Sequence, residues 1–200
     1  STWFAPKPGL QLYGGFQGNE LLLSARNPSL YHSILLGQPG APGVVVAQGA
    51  DATIDSSSVL DGFVIAPTNG IGLYNYRASP AIRNCTFQNA PGAGIWNELG
   101  SAPFITGCLF INNQSGGIVN RNGSSPGITN CLFVNNYAPI SGAAIANLWF
   151  SSPTISRCTF SNNAAAFAGG AIDSQDNCTP VITRSVFVSN SAGTDGGAIH

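Results

Sequence analysis

Five copies of one phrase constrain this chain more than any other feature. Each reads Pro-x-Ile-x-x-Cys-x-Phe, with Ser in place of Cys in the fifth, followed by Asn-rich residues and then a small residue before Ile. The copies begin at Pro80, Pro103, Pro126, Pro153 and Pro180, so the step is 23, 23, 27 and 27 residues. Phe87, Phe110, Phe133, Phe160 and Phe187 step identically. Ile95, Ile118, Ile145, Ile172 and Ile199 follow Phe by eight residues in the first two copies and by twelve in the last three. From Ile to the next Pro is always eight. All length variation therefore lies between Phe and Ile.

A rigid frame with one elastic connection is what a coil of strands predicts. Cys85 and Phe87 are two apart and face the same side of a strand, whereas Ile82 and Cys85 are three apart, so parity breaks. A corner near Arg83-Asn84 explains the break. The apolar runs are short, β-branched or aromatic, and bounded by Gly, Pro, Asn and Ser, which reads as strand and turn. The expected fold is all-β: a single-stranded right-handed parallel β-helix, a solenoid. At about 24 residues per turn its length gives roughly eight coils, hydrogen-bonded at about 4.8 Å. It forms one domain over 1–200, with irregular N-terminal coils over 1–58 and regular repeats over 59–200.

Stacking puts like on like. Besides the Phe and Ile columns there is a Cys column (Cys85, Cys108, Cys131, Cys158, with Ser185 fifth). Asn89, Asn112, Asn135 and Asn162 form another, ending in Ser189. Asn97, Asn120 and Asn147 form one more, ending in Ser174. Stacked Asn side chains can bond amide to amide along the axis, as in cross-β ladders, or serve as turn residues that tolerate left-handed geometry.

The N-terminal part is less regular. Trp3-Phe4 and Leu10 to Tyr13 read as strands, and Gly14-Gly15-Phe16 as a turn into a further short strand. Glu20 to Tyr31 is expected as a surface loop with one helical turn around Leu21 to Ser24. Ile34 to Leu36 and Val44 to Val46 are expected as short buried strands, separated by a Pro/Gly-rich loop from Gly37 to Gly43. Leu73 and Asn75 occupy the places later held by Ile95 and Asn97.

The phrases Leu12-Tyr13-Gly14-Gly15-Phe16, Leu60-Asp61-Gly62-Phe63-Val64-Ile65 and the Cys-Thr-Phe repeats resemble secreted bacterial right-handed parallel β-helix proteins. The Gly-Gly-Ala-Ile pieces at 169–172 and 196–199 resemble repeats of polymorphic outer-membrane adhesins. The resemblance implies the fold, and an extracellular or cell-surface location. It is weak for activity, because this repeat hosts many roles. It departs in lacking an anchor region. Met is absent, which is expected either of a chain whose signal peptide has been removed or of an excised piece.

Composition narrows the partners. Charged residues make up 8%, and the net charge is −1, so no basic stripe exists for phosphates and nucleic acid is not expected. No apolar span approaches a membrane helix. The cysteines have no Cys-x-x-Cys spacing, so neither metal nor cofactor is expected. Adjacent coils bring the column within disulfide reach by distance, but Ser185 in the fifth place fits small buried filler better. Cys178, in a turn before Thr179-Pro180, reads as the more reactive or intermolecular thiol. The Asn-x-Ser/Thr triplets, including Asn113-Gln114-Ser115, are ordinary for such a composition.

Enzymes of this fold that act on polysaccharides need clustered carboxylates on one exposed face. Only eight acids are present, and Glu98 stands alone among them. The candidates for chemistry are Asp173 and His200, which follow Ile172 and Ile199 and should stack on neighbouring coils; an ordinary surface pair is the competing reading. Arg157 and Arg184 should also stack, as an anion-contacting spot or as a solvated face. The leading expectation is a non-catalytic extracellular structural protein whose uncapped ends stack head to tail into a filament. The alternatives are a piece of a larger adhesin or carbohydrate-binding protein that meets surface glycans, and a polysaccharide lyase or hydrolase.

Overall fold

The computed structural model describes residue 4 and residues 6–37, 43–48 and 54–200. Trp3 and most of the Gly37–Gly43 loop lie outside the described residues. Three parallel sheets run along one axis, and no α-helix is present among the described residues.

The first sheet stacks Gln11–Tyr13, Val59–Asp61, Ala81–Arg83, Phe104–Thr106, Gly127–Thr129, Thr154–Ser156 and Val181–Thr183. The second stacks Ser33–Leu36, Phe63–Ala66, Thr86–Gln88, Leu109–Ile111, Leu132–Val134, Thr159–Ser161 and Val186–Val188. The third stacks Gly43–Gln48, Ile71–Tyr76, Ile95–Glu98, Ile118–Asn120, Ile145–Asn147 and Ile172–Ser174.

Register follows the repeat: Phe110 pairs with Phe87 and Phe133, and Ile118 with Ile95 and Ile145. Five regular turns follow a less regular start, and the longer sheets hold seven strands each. The count falls short of the eight coils expected because the first coil is long: Gln11 pairs with Val59, 48 positions on.

Two corners explain the frame. Asn84, Gly107, Asn130, Arg157 and Arg184 separate the first sheet from the second, with φ between 50° and 63°. The corner expected near Arg83-Asn84 is there. Asn89, Asn112, Asn135, Asn162 and Ser189 follow the second sheet, with φ of 53–57°. Asn visits this left-handed region at lower cost than other non-glycine residues, because its short amide bonds locally. Their role is therefore the turn; only Asn112 Nδ2 reaches its neighbour Asn89, at 3.4 Å, and that pair is exposed.

The core is a set of vertical rows. The Phe rings stack at centroid distances of 5.1, 4.7, 4.9 and 4.7 Å and within 11° of parallel. The Phe row lies on the second sheet; Ile82, Ile105, Ile128 and Ile155 line the first, and Ile95, Ile118, Ile145 and Ile172 the third, all buried. Small residues before each Ile make room: a Cβ on Gly117 would stand 2.7 Å from the Ala144 carbonyl and 2.9 Å from the Phe133 ring. Each Cys of the column tucks its thiol against carbonyls, Cys108 Sγ donating to Thr106 O at 3.4 Å, and Cys85, Cys108, Cys131 and Cys158 carry free thiols. Burial holds the Cys108 thiol well above its ordinary range, which suits filler rather than chemistry. Ser185 fills the fifth place and donates to Thr183 O at 3.0 Å.

Polar ladders tie the coils together. Asn75, Asn97, Asn120 and Asn147 are buried, and each donates its amide to the next coil, at 2.8, 2.8 and 2.9 Å, before Asn147 reaches Ser174 at 3.1 Å. A second ladder runs through Asn113, Asn136, Asn163 and Asn190, at 2.9–3.0 Å. Each of its amides also reaches a Phe carbonyl of an earlier coil, Asn113 to Phe87 at 3.1 Å. A third column is Ser101, Ser124 and Ser151, each accepting a backbone N–H from the preceding coil. Cys178 is its next member: Ser151 N donates to its Sγ at 3.1 Å, and partial burial pushes the thiol up. It thus takes a serine's place in this column, a role that its reading as an isolated thiol did not include.

The N-terminal coil departs from expectation in two ways. The segment after Gly15 forms no further strand; it leads to one 3-10 turn at Leu23–Ala25. Ser33–Leu36 is a strand, but Ile34 and Leu36 point outward and are exposed. What holds this coil is Arg26, which pairs with Asp61 at 2.8 Å and reaches Gly14 O at 3.2 Å. The Asp61 carboxylate also accepts Asn84 Nδ2 at 2.9 Å.

The elastic segments are not plain loops. Tyr137–Ala138, Ala164–Ala165 and Ser191–Ala192 pair as a short fourth sheet. Four extra residues per coil thus buy a wall beside the third sheet without altering the frame.

Candidate functional site

Strand alternation decides what the third sheet shows to solvent. Ile95 and Asn97 point in, so Trp96 and Glu98 point out. Pairing then stacks Tyr74, Trp96, Val119, Ala146 and Asp173 in one row on the outer side, in which Tyr74 and Trp96 are part-exposed and Val119, Ala146 and Asp173 are buried. Trp96 packs on the small cluster of Val119, Ala146 and Ala93. The next outward row begins with Tyr76 and Glu98 and continues through Arg121 and Leu148, the residues after Asn120 and Asn147.

The fourth sheet and its turn form one side of this face. Ala138, Pro139, Ile140 and Ser141 stand opposite Trp96, Val119, Ala146 and Leu148 across a cleft of about 410 Å³. Its surface is mostly apolar, and Asp173 and Gln175 close the far end.

The pair expected at that end is present. Asp173 Oδ1 lies 2.8 Å from His200 Nδ1, and Asp173 Oδ2 accepts Gln175 Nε2 at 2.6 Å. Asp173 is fully buried while His200 is about half exposed. Both oxygens of the carboxylate are thus engaged, and its other outward neighbour in register is Ala146. Arg157 and Arg184 sit at left-handed corners away from this face. Glu98 is held by its neighbours: Trp96 Nε1 donates to it at 2.9 Å, and Asn122 Nδ2 donates to its other oxygen.

The aromatic end of the face escaped sequence reading. Tyr74 and Tyr76 lie 6.2 Å apart, and the Arg121 guanidinium stands over both Trp96, at 5.1 Å, and Trp149, at 4.2 Å. Burial and the nearby Glu98 carboxylate push the Tyr74 hydroxyl up, keeping it a neutral donor. The signal was available. The same arithmetic that stacks the Ile and Asn columns also stacks the residues one and three places after each Ile, and Trp96, Glu98 and Arg121 are among them.

A wider hollow, about 840 Å³, lies between the N-terminal loop and the second sheet. Its charged members are spent on structure, since Arg26 is neutralised by Asp61. No cluster of metal-ligating side chains is found among the described residues.

No curated protein and no solved structure matches this chain. A family model described as a right-handed beta helix region matches residues 42–199, which include all six third-sheet strands whole. The parallel register, the stacked core rows and this match together establish that the chain belongs to the right-handed β-helix family.

Proposed function

We propose that this protein is a non-catalytic extracellular β-solenoid that binds a glycan chain along the outer face of its third sheet. The observation that carries the reading is the outward row Tyr74, Trp96, Val119, Ala146, walled by Ala138 to Ser141. Sugar rings present flat C–H faces to aromatic and small apolar surfaces, while their hydroxyls need donors and acceptors at the rim. Here Ser115 and Ser141 stand at one rim and Glu98 near the other. Coils repeat every 4.8 Å or so, on the scale of one sugar ring, which suits a repeating ligand. Secretion is supported by the resemblance to exported β-helix proteins. Catalysis is disfavoured by geometry: both oxygens of Asp173 are engaged, by His200 and by Gln175, and its outward neighbour in register is Ala146. Retention on insoluble polysaccharides tests the reading. Wild-type protein should be held, and Trp96→Ala should elute early; equal retention of both would remove it.

A second reading, end-to-end assembly, is favoured by one observation. On the last coil the inward Ile182 and Phe187 are only partly buried, whereas their counterparts one coil earlier, Ile155 and Phe160, are fully covered. Such an edge templates pairing with another coil, from a second copy or from further repeats of a longer chain. Electron microscopy should show fibres that vanish in Val186→Lys/Val188→Lys; monodisperse wild-type protein in light scattering would remove the assembly reading.

A further inference from the structure

Arg121 is the most unusual charge on the molecule. Its backbone N–H donates to Asn97 O at 3.0 Å, which fixes the residue just past the third sheet. Its guanidinium lies between the rings of Trp96 and Trp149. The described residues place no carboxylate within ion-pair distance of it; the two ion pairs found are Arg26–Asp61 and His200–Asp173. Its Nε is buried without a hydrogen-bond partner. The nearest acid, Glu98 on the preceding coil, is occupied by Trp96 Nε1 and Asn122 Nδ2. The result is a planar fork of donors, immobilised by two indoles, with its hydrogen bonds unspent. A partly desolvated cation left in this state is costly unless something pairs with it.

The backbone makes a second, independent point. Trp149 and Phe150 both adopt left-handed φ, 52° and 63°. Other coils place Leu99-Gly100, Asn122-Gly123 and Asp176-Asn177 at this turn, each with at least one residue suited to such geometry. Two bulky aromatics there cost of order 1–3 kcal/mol each. Packing gives little in return, since Trp149 is 40% and Phe150 67% exposed. A strained turn that holds one exposed ring over a cation points to a ligand.

We propose that Arg121, clamped between Trp96 and Trp149, is the subsite for an anionic group, a carboxylate or a sulfate, carried by the sugar that lies on this face. The charged oxygens meet the guanidinium fork, as bidentate carboxylates do. The sugar ring extends from Trp96 over Val119 and Ala146 into the walled cleft. This rests on the glycan reading and adds the chemical class of the ligand. The full positive charge selects acidic chains over neutral ones, in a protein whose net charge of −1 would otherwise disfavour them.

Tryptophan fluorescence tests it directly, because Trp96 and Trp149 are two of the three tryptophans. The probes are a β-linked glucuronate tetramer, the neutral glucose tetramer of the same linkage and its sulfated form. At least one acidic tetramer should bind roughly ten- to a hundredfold more tightly than the neutral one, the value of a charge-assisted hydrogen bond. The comparison of the two acidic arms separates carboxylate from sulfate. The preference should shrink as salt rises and should vanish in Arg121→Gln. Arg121→Lys, which keeps the charge and loses the fork, should retain only part of it and serves as the readout if Arg121→Gln does not fold. Equal binding of neutral and acidic tetramers overturns the inference and leaves the glycan reading standing. If no tetramer binds but free glucuronate or sulfate quenches in an Arg121-dependent way, the anion subsite stands and the glycan reading falls. No response to any of these probes overturns both.

Discussion

The ladder of Asn75, Asn97, Asn120 and Asn147 has a direction, and direction makes it testable. Every amide nitrogen donates toward the C-terminal end, and Asn147 hands on to Ser174. The first member differs from the rest. Its register partner on the preceding coil is Ala47, which cannot donate, and Asn75 Oδ1 is buried without a partner. Replacing Asn120 with Ala orphans two groups, Asn97 Nδ2 and Asn147 Oδ1. Replacing Asn75 orphans one, Asn97 Oδ1, and removes an oxygen that was already unsatisfied. Each buried polar group left unpaired costs about 1–3 kcal/mol, so Asn120→Ala should lose about 2–6 kcal/mol and Asn75→Ala no more than about half of that. Both sites are fully buried, so the cavity cost is alike and cancels in the comparison. Urea unfolding followed by circular dichroism, with the slope checked for constancy, gives the two values. Equal losses, or a larger loss at Asn75, would refute the directional account.

Three further outcomes follow from the same geometry. Phe133→Ala removes a ring stacked on both sides and should cost about 3–5 kcal/mol in urea unfolding, whereas Phe187→Ala, stacked on one side in a partly exposed coil, should cost clearly less. Cys178→Ser should shift the unfolding midpoint by less than the equivalent of about 1 kcal/mol, because serine holds this place in three other coils. Asp61→Ala strands the part-buried Arg26 guanidinium and should cost about 2–4 kcal/mol; limited proteolysis should then cut first within 14–32, and cutting elsewhere would show that the ion pair is not what holds this loop.

The rows at constant offset were legible because identical residues at identical offsets leave one solution, vertical stacking. Phe87 to Phe187 and Asn97 to Ser174 came directly from that arithmetic, as did the contact of Asp173 with His200. Columns whose members change type were harder. Ser101, Ser124, Ser151 and Cys178 form one file, yet three serines and a cysteine do not look alike in a sequence, so Cys178 read as an isolated thiol. The aromatic site was hidden for the same reason: Tyr74, Trp96, Val119 and Ala146 share a row but not a chemistry. The ladder from Asn113 to Asn190 lay in the variable segment, where a change of length obscured a constant offset of three residues from Phe. The first coil was misjudged because its long excursion is set by one long-range ion pair, Arg26 with Asp61, that no local pattern announces.

The short fourth sheet has an implication for how such molecules diversify. Because Tyr137–Ala138, Ala164–Ala165 and Ser191–Ala192 pair with one another in a short sheet of their own, residues can be inserted there while the pitch of every other row stays the same. Cross-section and periodicity are thereby decoupled. A lineage could deepen a recess at any chosen height by lengthening successive coils together, and leave the neighbouring heights slim.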